Sequence, residues 1–296
     1  MEDVFIFTEA YNCGKIARVA LESFLKLHPE LKVTVFGLEQ DFNEINIDSK
    51  HVIYYPLDND GTLKNLYTNG HQGTAYIFAS VLSGRYGNYQ KIIHFDADVI
   101  FREECLSDIK EGFDNGYHLI GQRRNYEKNR SKLTSVGGKS LIGVTDTIGT
   151  CFFGIDSSKI TVEDFSLLHR MCVGGVSLTG EPILDFFDPV SFHVMHNDGK
   201  VKYLSSINYG GGDENGNWDN GFNGLNLLCD FGKKFVHFAG VGSGLNFHKN
   251  GSGNVPVTYS SWAKERYNLY SMLFCGENIG PYDENAYKKM KKELEL

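Results

Sequence analysis

Two aspartates stand two positions apart after an apolar segment, in the stretch KIIHFDADVIF of residues 91–101. Side chains two apart on a strand point to the same face, so the carboxylates of Asp96 and Asp98 can converge on one point. Paired carboxylates repel each other unless a cation neutralises them, and their hard oxygen atoms suit Mg²⁺ or Mn²⁺, ions that also bind phosphates. The spacing therefore predicts a divalent-metal site that carries a diphosphate. The alternative is a turn with two solvated aspartates.

A histidine stands at the end of a second predicted strand, in the stretch KFVHFAG. His237 is followed by Gly240, Gly242 and Gly244. Imidazole is a common metal ligand, and closely spaced glycines let the backbone approach a phosphate. A single histidine is more often structural, but its combination with an acidic pair at another strand end favours a functional role.

The elements that must position these residues alternate along the N-terminal third of the chain. Helical periodicity over residues 13–29 and 74–87 separates short β-rich segments, which are 4–8, 31–38, 51–56 and 91–95. This alternation predicts an α/β fold with a mostly parallel sheet, whose ligands bind beyond the carboxyl ends of the strands. Further strands are predicted at 117–122, 150–156 and 233–240. Two helical patterns follow Ser261, the second with Asp283 as its N-cap.

Composition excludes several classes of function. The chain of 296 residues has a formal net charge of −8, which argues against nucleic-acid binding. No segment approaches the roughly 18 apolar residues of a transmembrane helix, and the N-terminus lacks the form of a secretory signal. The six cysteines are scattered without metal-site spacing. We therefore expect a cytoplasmic protein with reduced thiols.

Three stretches, taken in order, resemble the GT-A-fold glycosyltransferases, most closely the retaining family 8 enzymes such as glycogenin and bacterial galactosyltransferases. Residues 5–38 resemble the opening strand, nucleotide loop and helix of that family, residues 89–101 its D-x-D segment, and residues 235–240 its histidine–glycine motif. The similarity is good over residues 4–102 and loose over 117–248. The lysine that follows the histidine motif in the family is missing here.

The resemblance implies a GT-A-type, Rossmann-like sheet flanked by helices, with a helical C-terminal tail. Residues 1–260 would form the glycosyltransferase domain, with a nucleotide-binding part over about 1–102 and an acceptor-side part over about 103–260. Residues 261–296 would form a helical appendage.

The resemblance also implies roles for individual residues at the metal and the nucleotide. Asp98 would ligate the metal directly, Asp96 would contact both the ribose and the metal, and His237 would be the third protein ligand. The uracil and ribose would lie against the first loop, which contributes Thr8, Ala10 and Tyr11, with Tyr11 stacking on the base.

Four more positions are assigned by the same resemblance. Gly240 and Gly242 would lie along the diphosphate. In the segment TGEPILDFF, Glu181 would lie nearest the anomeric carbon of the transferred sugar, with Asp185 beside it.

The function implied is Mn²⁺- or Mg²⁺-dependent transfer of a hexose or pentose from a nucleotide-sugar, expected to be a UDP-sugar. The acceptor would be a hydroxyl of a saccharide or glycan, and the reaction would retain the anomeric configuration. One alternative is a phosphatase of the haloacid dehalogenase type, whose D-x-D strand usually opens the fold. The other is a sugar- or nucleotide-binding scaffold without turnover. The glycine- and asparagine-rich residues 208–224 are expected to form an acceptor-side loop or a lid.

Overall fold

The structure is a computed structural model that describes residues 4–57, 77, 81, 86–125, 135–136, 139–140, 146–159, 200–205, 234–237 and 257–294. Its largest element is a seven-stranded mixed sheet. The strands of this sheet are β1 (Val4–Glu9), β2 (Val33–Gly37), β3 (Val52–Pro56), β4 (Lys91–Phe95), β6 (Leu119–Asn125), β9 (Asp146–Asp156) and β10 (Val201–Leu204). They lie side by side in the order β10-β6-β9-β4-β1-β2-β3. The predicted α/β class with a mostly parallel sheet is confirmed.

Strand direction divides the sheet into two parts. Strands β4, β1, β2 and β3 are mutually parallel, so their carboxyl ends meet at one edge of the sheet. Strand β9 runs antiparallel to both β4 and β6, while β10 is parallel to β6. Two smaller antiparallel pairs accompany the sheet, β5 (Val99–Phe101) with β11 (Phe235–His237), and β7 (Ser135–Val136) with β8 (Lys139–Ser140).

Five helices are described over their full length: α1 (Gly14–Leu27), α2 (Glu39–Ile45), α3 (Leu106–Asp114), α4 (Val257–Cys275) and α5 (Glu284–Glu293). Of the helix predicted over 74–87, the structure describes Ile77 and Val81, which are helical, and residues 86–87; the others lie outside the described residues. The amphipathic pattern of 13–29 correctly predicts α1, and the two C-terminal patterns predict α4 and α5. Asp283 caps α5 as predicted, because its carboxylate accepts hydrogen bonds from the backbone of Asn285 at 2.8 Å and Ala286 at 3.0 Å. Helices α2 and α3 were not predicted. Within the described ranges, no helix combines the length and the apolar character needed to cross a bilayer.

The apolar side chains form one buried cluster on each face of the sheet and a third around the C-terminal helices. On the face covered by α1 and α3, the first cluster includes Phe24, Phe95 and Ile109. The second cluster, on the opposite face, includes Phe7 and Phe153. The alternation of side chains along β1 and β4 explains how each strand contributes to both clusters.

Helix α4 packs on α1 through the third cluster, and α5 packs on α4. The buried members of this cluster include Val19 of α1, Ile100 of β5 and Tyr270 of α4. The hydroxyl of Tyr267 donates a hydrogen bond to the carbonyl of Ile16 at 3.0 Å. The C-terminal helices are thus packed directly beside the strand that follows the two aspartates.

Candidate functional site

The two aspartates of the D-x-D segment lie in a tight turn between β4 and β5. The turn closes because the backbone N–H of Val99 donates to the carbonyl of Asp96 at 3.2 Å. The N–H of Asp96 itself donates to the carbonyl of Cys151 on β9 at 2.9 Å, which fixes the start of the turn on the sheet. Both aspartates are partly exposed. Ala97 and Asp98 belong to a turn and not to a strand, so the convergence of the two carboxylates stays a prediction that strand alternation does not support.

Strand β5, which follows this turn, is tied to the core by a buried serine. The hydroxyl of Ser23 in α1 donates to the carbonyl of Ala20 at 2.7 Å and accepts the N–H of Phe101 at 3.0 Å. Since β5 is only three residues long, this bond and the apolar packing of Ile100 and Phe101 position it. The D-x-D turn is therefore held at both of its ends.

The short ladder between β5 and β11 brings the backbone of the predicted histidine ligand next to the D-x-D turn. In this antiparallel pair, His237 lies directly opposite Val99, the residue after Asp98. Directly opposite residues of an antiparallel pair have Cα atoms roughly 4.5–5.5 Å apart. Two segments that are 138 positions apart in the sequence, counted from Val99 to His237, therefore meet at this edge.

A buried histidine lies behind the acidic turn. His94 of β4 is 1% exposed, and its Nε2 atom lies 3.9 Å from a carboxylate oxygen of Glu9 and 3.9 Å from one of Asp96. Its ring packs between the rings of Phe7 and Phe153, at centroid distances of 4.8 and 5.3 Å. The carboxyl ends of β1 and β4 thus carry a row of carboxylate, imidazole and carboxylate.

The residues predicted to bind the nucleoside lie at the end of β1, which contains Thr8, and in the loop between β1 and α1, which contains Ala10 and Tyr11. Thr8 and Ala10 are fully buried, and the N–H of Ala10 donates to the carbonyl of Phe36 at 2.8 Å. Tyr11 is partly exposed and packs against the second apolar cluster. Of these three predicted residues, only Tyr11 has a side chain that is accessible at the surface.

The electrostatic potential at this edge of the sheet is negative. Burial raises the pKa of the Cys13 thiol well above its usual value, and the negative charges of Asp41, Asp98 and Glu9 raise it further. Burial also raises the pKa of Tyr267 in α4, to which Asp98 contributes as one of several negative neighbours. A site that concentrates negative charge in this way attracts cations.

A divalent ion fits the chemistry of the groups at the turn. Asp96 and Asp98 offer carboxylate oxygens, which are the preferred ligands of Mg²⁺ and Mn²⁺. Among the side chains that the structure describes, no group of three or more His, Cys, Asp and Glu is arranged to hold a metal. His237 is described by its backbone only, so its role as third ligand stays a prediction.

Several predicted site residues lie outside the described residues. They are Glu181 and Asp185 for the sugar, Gly240 and Gly242 for the diphosphate, and the loop 208–224. The roles given to them remain predictions.

Three residues of the site were not identified from the sequence: Glu9, His94 and Asp41. A signal existed for the first two, because a charged residue and a histidine stand at the ends of the otherwise apolar strands VFIFTE and KIIHF. Asp41 has no comparable signal. It lies in a short polar helix, and its partners are loop amides up to 29 positions away.

The structure is similar to solved glycosyltransferase structures. Galactosyltransferase LgtC in complex with donor and acceptor sugar analogs matches with a TM-score of 0.53 and 13% sequence identity, over 96% of this chain and 99% of that chain. An active-site mutant of LgtC gives a TM-score of 0.51 and 14% identity over the same shares. Mouse xyloside xylosyltransferase 1 in its apo form gives 0.49 and 14%, over 86% of this chain and 99% of that chain.

No protein-family model and no curated protein matches the sequence. At identities this low, structural similarity establishes the fold and leaves the reaction to be argued from the site. The two LgtC matches span nearly the whole of this chain, and the mixed sheet agrees with the predicted architecture. The chain therefore has the fold of the galactosyltransferase LgtC, the GT-A type that the sequence predicts.

Proposed function

We propose that this protein is a metal-dependent glycosyltransferase that moves a hexose or pentose from a UDP-sugar to a hydroxyl of a saccharide or glycan. The observation that carries the proposal is the backbone pairing of His237 with Val99, directly beside the D-x-D turn. This pairing supports a common metal site for the three predicted ligands, in a chain that has the fold of a galactosyltransferase.

In this proposal, Asp98 and Asp96 hold a divalent ion together with His237. When bound, that ion supplies Lewis-acid stabilisation of the diphosphate that leaves as the nucleotide–sugar bond breaks. Tyr11 stacks on the base, because its ring is the accessible aromatic surface of the β1–α1 loop. The Nε2 atom of His94 lies 3.9 Å from a carboxylate oxygen of Glu9 and 3.9 Å from one of Asp96, and this contact limits the orientation of the Asp96 carboxylate.

The sugar end of the donor is assigned to Glu181 and Asp185. As the nucleotide–sugar bond breaks, the anomeric carbon gains positive charge, which a nearby carboxylate stabilises. We propose retention of configuration, on the resemblance to family 8 enzymes.

The test is release of nucleotide from a panel of nucleotide-sugars, with Mn²⁺ and with a chelator. We expect UDP release that requires the metal, falls about a hundredfold or more in Asp98→Ala, and falls at least tenfold in His237→Ala. Asp114→Ala is the matched control, since this aspartate is exposed at the end of α3, away from the turn. The anomeric configuration of the product, measured by NMR, tests retention.

Each alternative has its own signature in the same experiment. Inorganic phosphate released from simple phosphomonoesters, without nucleotide release, identifies a phosphatase. Tight UDP-sugar binding without turnover on any acceptor identifies a scaffold. The phosphatase alternative also meets a structural difficulty, because β4 is an internal strand between β1 and β9 and follows three earlier strands of the sheet.

A further inference from the structure

The loop between β1 and α1 is held in place by side chains of α2. Asp41, which is 1% exposed, accepts hydrogen bonds from the backbone N–H groups of Asn12 at 3.2 Å and Gly14 at 3.2 Å. A neighbouring residue of α2, Gln40, donates from its amide to the side-chain oxygen of Asn12 at 2.7 Å. Glu44, one turn further along, accepts the N–H of Lys15 at 3.2 Å. We call Gln40, Asp41 and Glu44 the α2 clamp.

The α2 clamp replaces a local N-cap on α1. The residue at the N-cap position, Cys13, makes no side-chain capping hydrogen bond, and the first turn of α1 contains no acidic residue. The first amides of a helix need partners, and their partial positive charge favours a carboxylate. Asp41 and Glu44 supply that charge from 27 and 29 positions away.

Asp41 also connects this loop to the start of its own helix. It accepts the N–H of Leu38 at 2.9 Å, so a single carboxylate satisfies amides at the beginnings of both α1 and α2. Burial raises the pKa of Asp41, and the three backbone hydrogen bonds oppose that rise. The two helix N-termini are consequently fixed relative to each other by one buried group.

The clamp determines a strained conformation next to Tyr11. Asn12 has a φ of 54°, in the left-handed region that few non-glycine residues adopt and that asparagine adopts more readily than most of them. Such a conformation persists when surrounding contacts compensate for it. Asp41 and Gln40 hold the backbone and the side chain of Asn12, respectively. The direction in which the chain leaves Tyr11 therefore depends on α2.

We propose that Asp41 is a positioning residue that sets the conformation of the β1–α1 loop in which Tyr11 receives the base of the donor nucleotide. This inference rests on the proposed function. It adds that base recognition and diphosphate recognition are supported by separate parts of the structure. The base depends on the α2 clamp, whereas the diphosphate depends on the D-x-D turn, which β9 and α1 hold in place.

The experiment measures the binding of two probes, UDP and inorganic pyrophosphate, by calorimetry on the full chain. Both are measured in the presence of Mn²⁺. Asp41→Asn keeps the shape of the side chain but removes its charge and turns an amide group towards backbone N–H donors. We expect its Kd for UDP to rise about tenfold, with the Kd for pyrophosphate changed less than twofold. In turnover, the KM for the UDP-sugar rises, and kcat stays within about threefold of wild type.

Two further variants complete the design. Gln40→Ala removes only the bond to the Asn12 side chain, and Gln40 is exposed, so this variant keeps the proposal testable if Asp41→Asn does not fold. We expect a two- to threefold rise in the Kd for UDP. Glu39→Gln, an exposed acidic position on the same helix and outside the clamp, should match wild type with both probes.

The possible outcomes are distinct. Equal loss of UDP and pyrophosphate binding in Asp41→Asn would overturn the inference, because it indicates general disruption. Unchanged UDP binding in Asp41→Asn would also overturn it and would leave the proposed function intact. Failure of the wild-type protein to bind UDP with Mn²⁺ would refute the proposed function, and the inference would fall with it.

Discussion

Replacing Gly14 by alanine tests how closely α1 approaches α2. A Cβ atom at position 14 would lie 2.5 Å from the carbonyl oxygen and 2.7 Å from the Cα of Asp41, and 2.9 Å from the Cβ of Glu44. Two of these three atoms are backbone, so no side-chain rotation relieves the contact. The two helices must separate by about 0.5 Å for the shortest distance to reach 3.0 Å, below which Cβ contacts are essentially never seen.

The expected change in the free energy of unfolding has three contributions, of which two are destabilising and one is stabilising. Overpacking of this kind costs about 1–3 kcal/mol, while a Gly→Ala change in a helix returns roughly 0.5–1 kcal/mol. A shift of this size also lengthens the 3.2 Å bonds from Asn12 and Gly14 to Asp41. Loss of one hydrogen bond to a charged group costs about 1.5–3 kcal/mol. We therefore expect Gly14→Ala to destabilise the protein by about 2–4 kcal/mol, or roughly 3–6 °C in melting temperature for a chain of this length.

The assay is thermal unfolding followed by circular dichroism at one scan rate, with Gly116→Ala as the control. Nothing lies within 4 Å of a Cβ atom at Gly116, but its φ of +74° disfavours alanine. That control therefore measures backbone strain without a clash, at roughly 1–2 kcal/mol. A Gly14→Ala protein that melts at or above the wild-type temperature would refute the reasoning, because it requires more space between α1 and α2 than the structure contains.

Three other predictions concern stability. Tyr267→Phe removes the hydroxyl that donates a hydrogen bond to the Ile16 carbonyl, and it should lower the free energy of unfolding in urea by about 1 kcal/mol. The control Tyr287→Phe on α5 should lower it by less. Equal decreases in the two variants would contradict the role of that bond. Burial lowers the pKa of His28, so the unfolded state takes up the proton more readily, and stability should fall as pH drops from about 7 to 5. His28→Gln should flatten that part of the profile, and an unchanged slope would exclude His28 as its source. Asp283→Ala removes two N-cap hydrogen bonds and should lower the stability of α5 by about 1 kcal/mol. Amide hydrogen exchange should become faster in α5 but not in α3. Equal exchange rates in α5 of the wild type and the variant would argue against the cap.

The parts of the fold that the sequence predicts well have a strong local pattern. Helix α1 buries a continuous stripe that includes Ile16, Ala20 and Phe24, and this spacing is visible without the structure. The strands β1 and β4 are short apolar runs bounded by polar residues. In each case the burial of one face follows from residues that are neighbours in the chain.

The two helices that the sequence analysis did not predict, α2 and α3, were missed for different reasons. Helix α2 has seven residues, and only Asp41 and Ile45 are buried, which is too short a pattern for helical periodicity to be recognised. Helix α3 did carry a signal, because Leu106, Ile109 and Phe113 are spaced as on one helical face. For α2, the one local signal was its acidic first turn, because Glu39 and Asp41 are residue types that favour the start of a helix.

Residue types and spacing predict an α/β protein with a pair of carboxylates, suited to bind a cation, at the end of a strand. Both properties depend on residues that are close together in the sequence. Three features required the tertiary structure: the turn of residues 96–98, the meeting of His237 with Val99, and the hold of Asp41 on the β1–α1 loop. Each joins segments that are far apart in the chain, or depends on how a neighbouring strand or helix packs. Local patterns indicate which side chains can do chemistry, but only packing and strand register decide which of them meet.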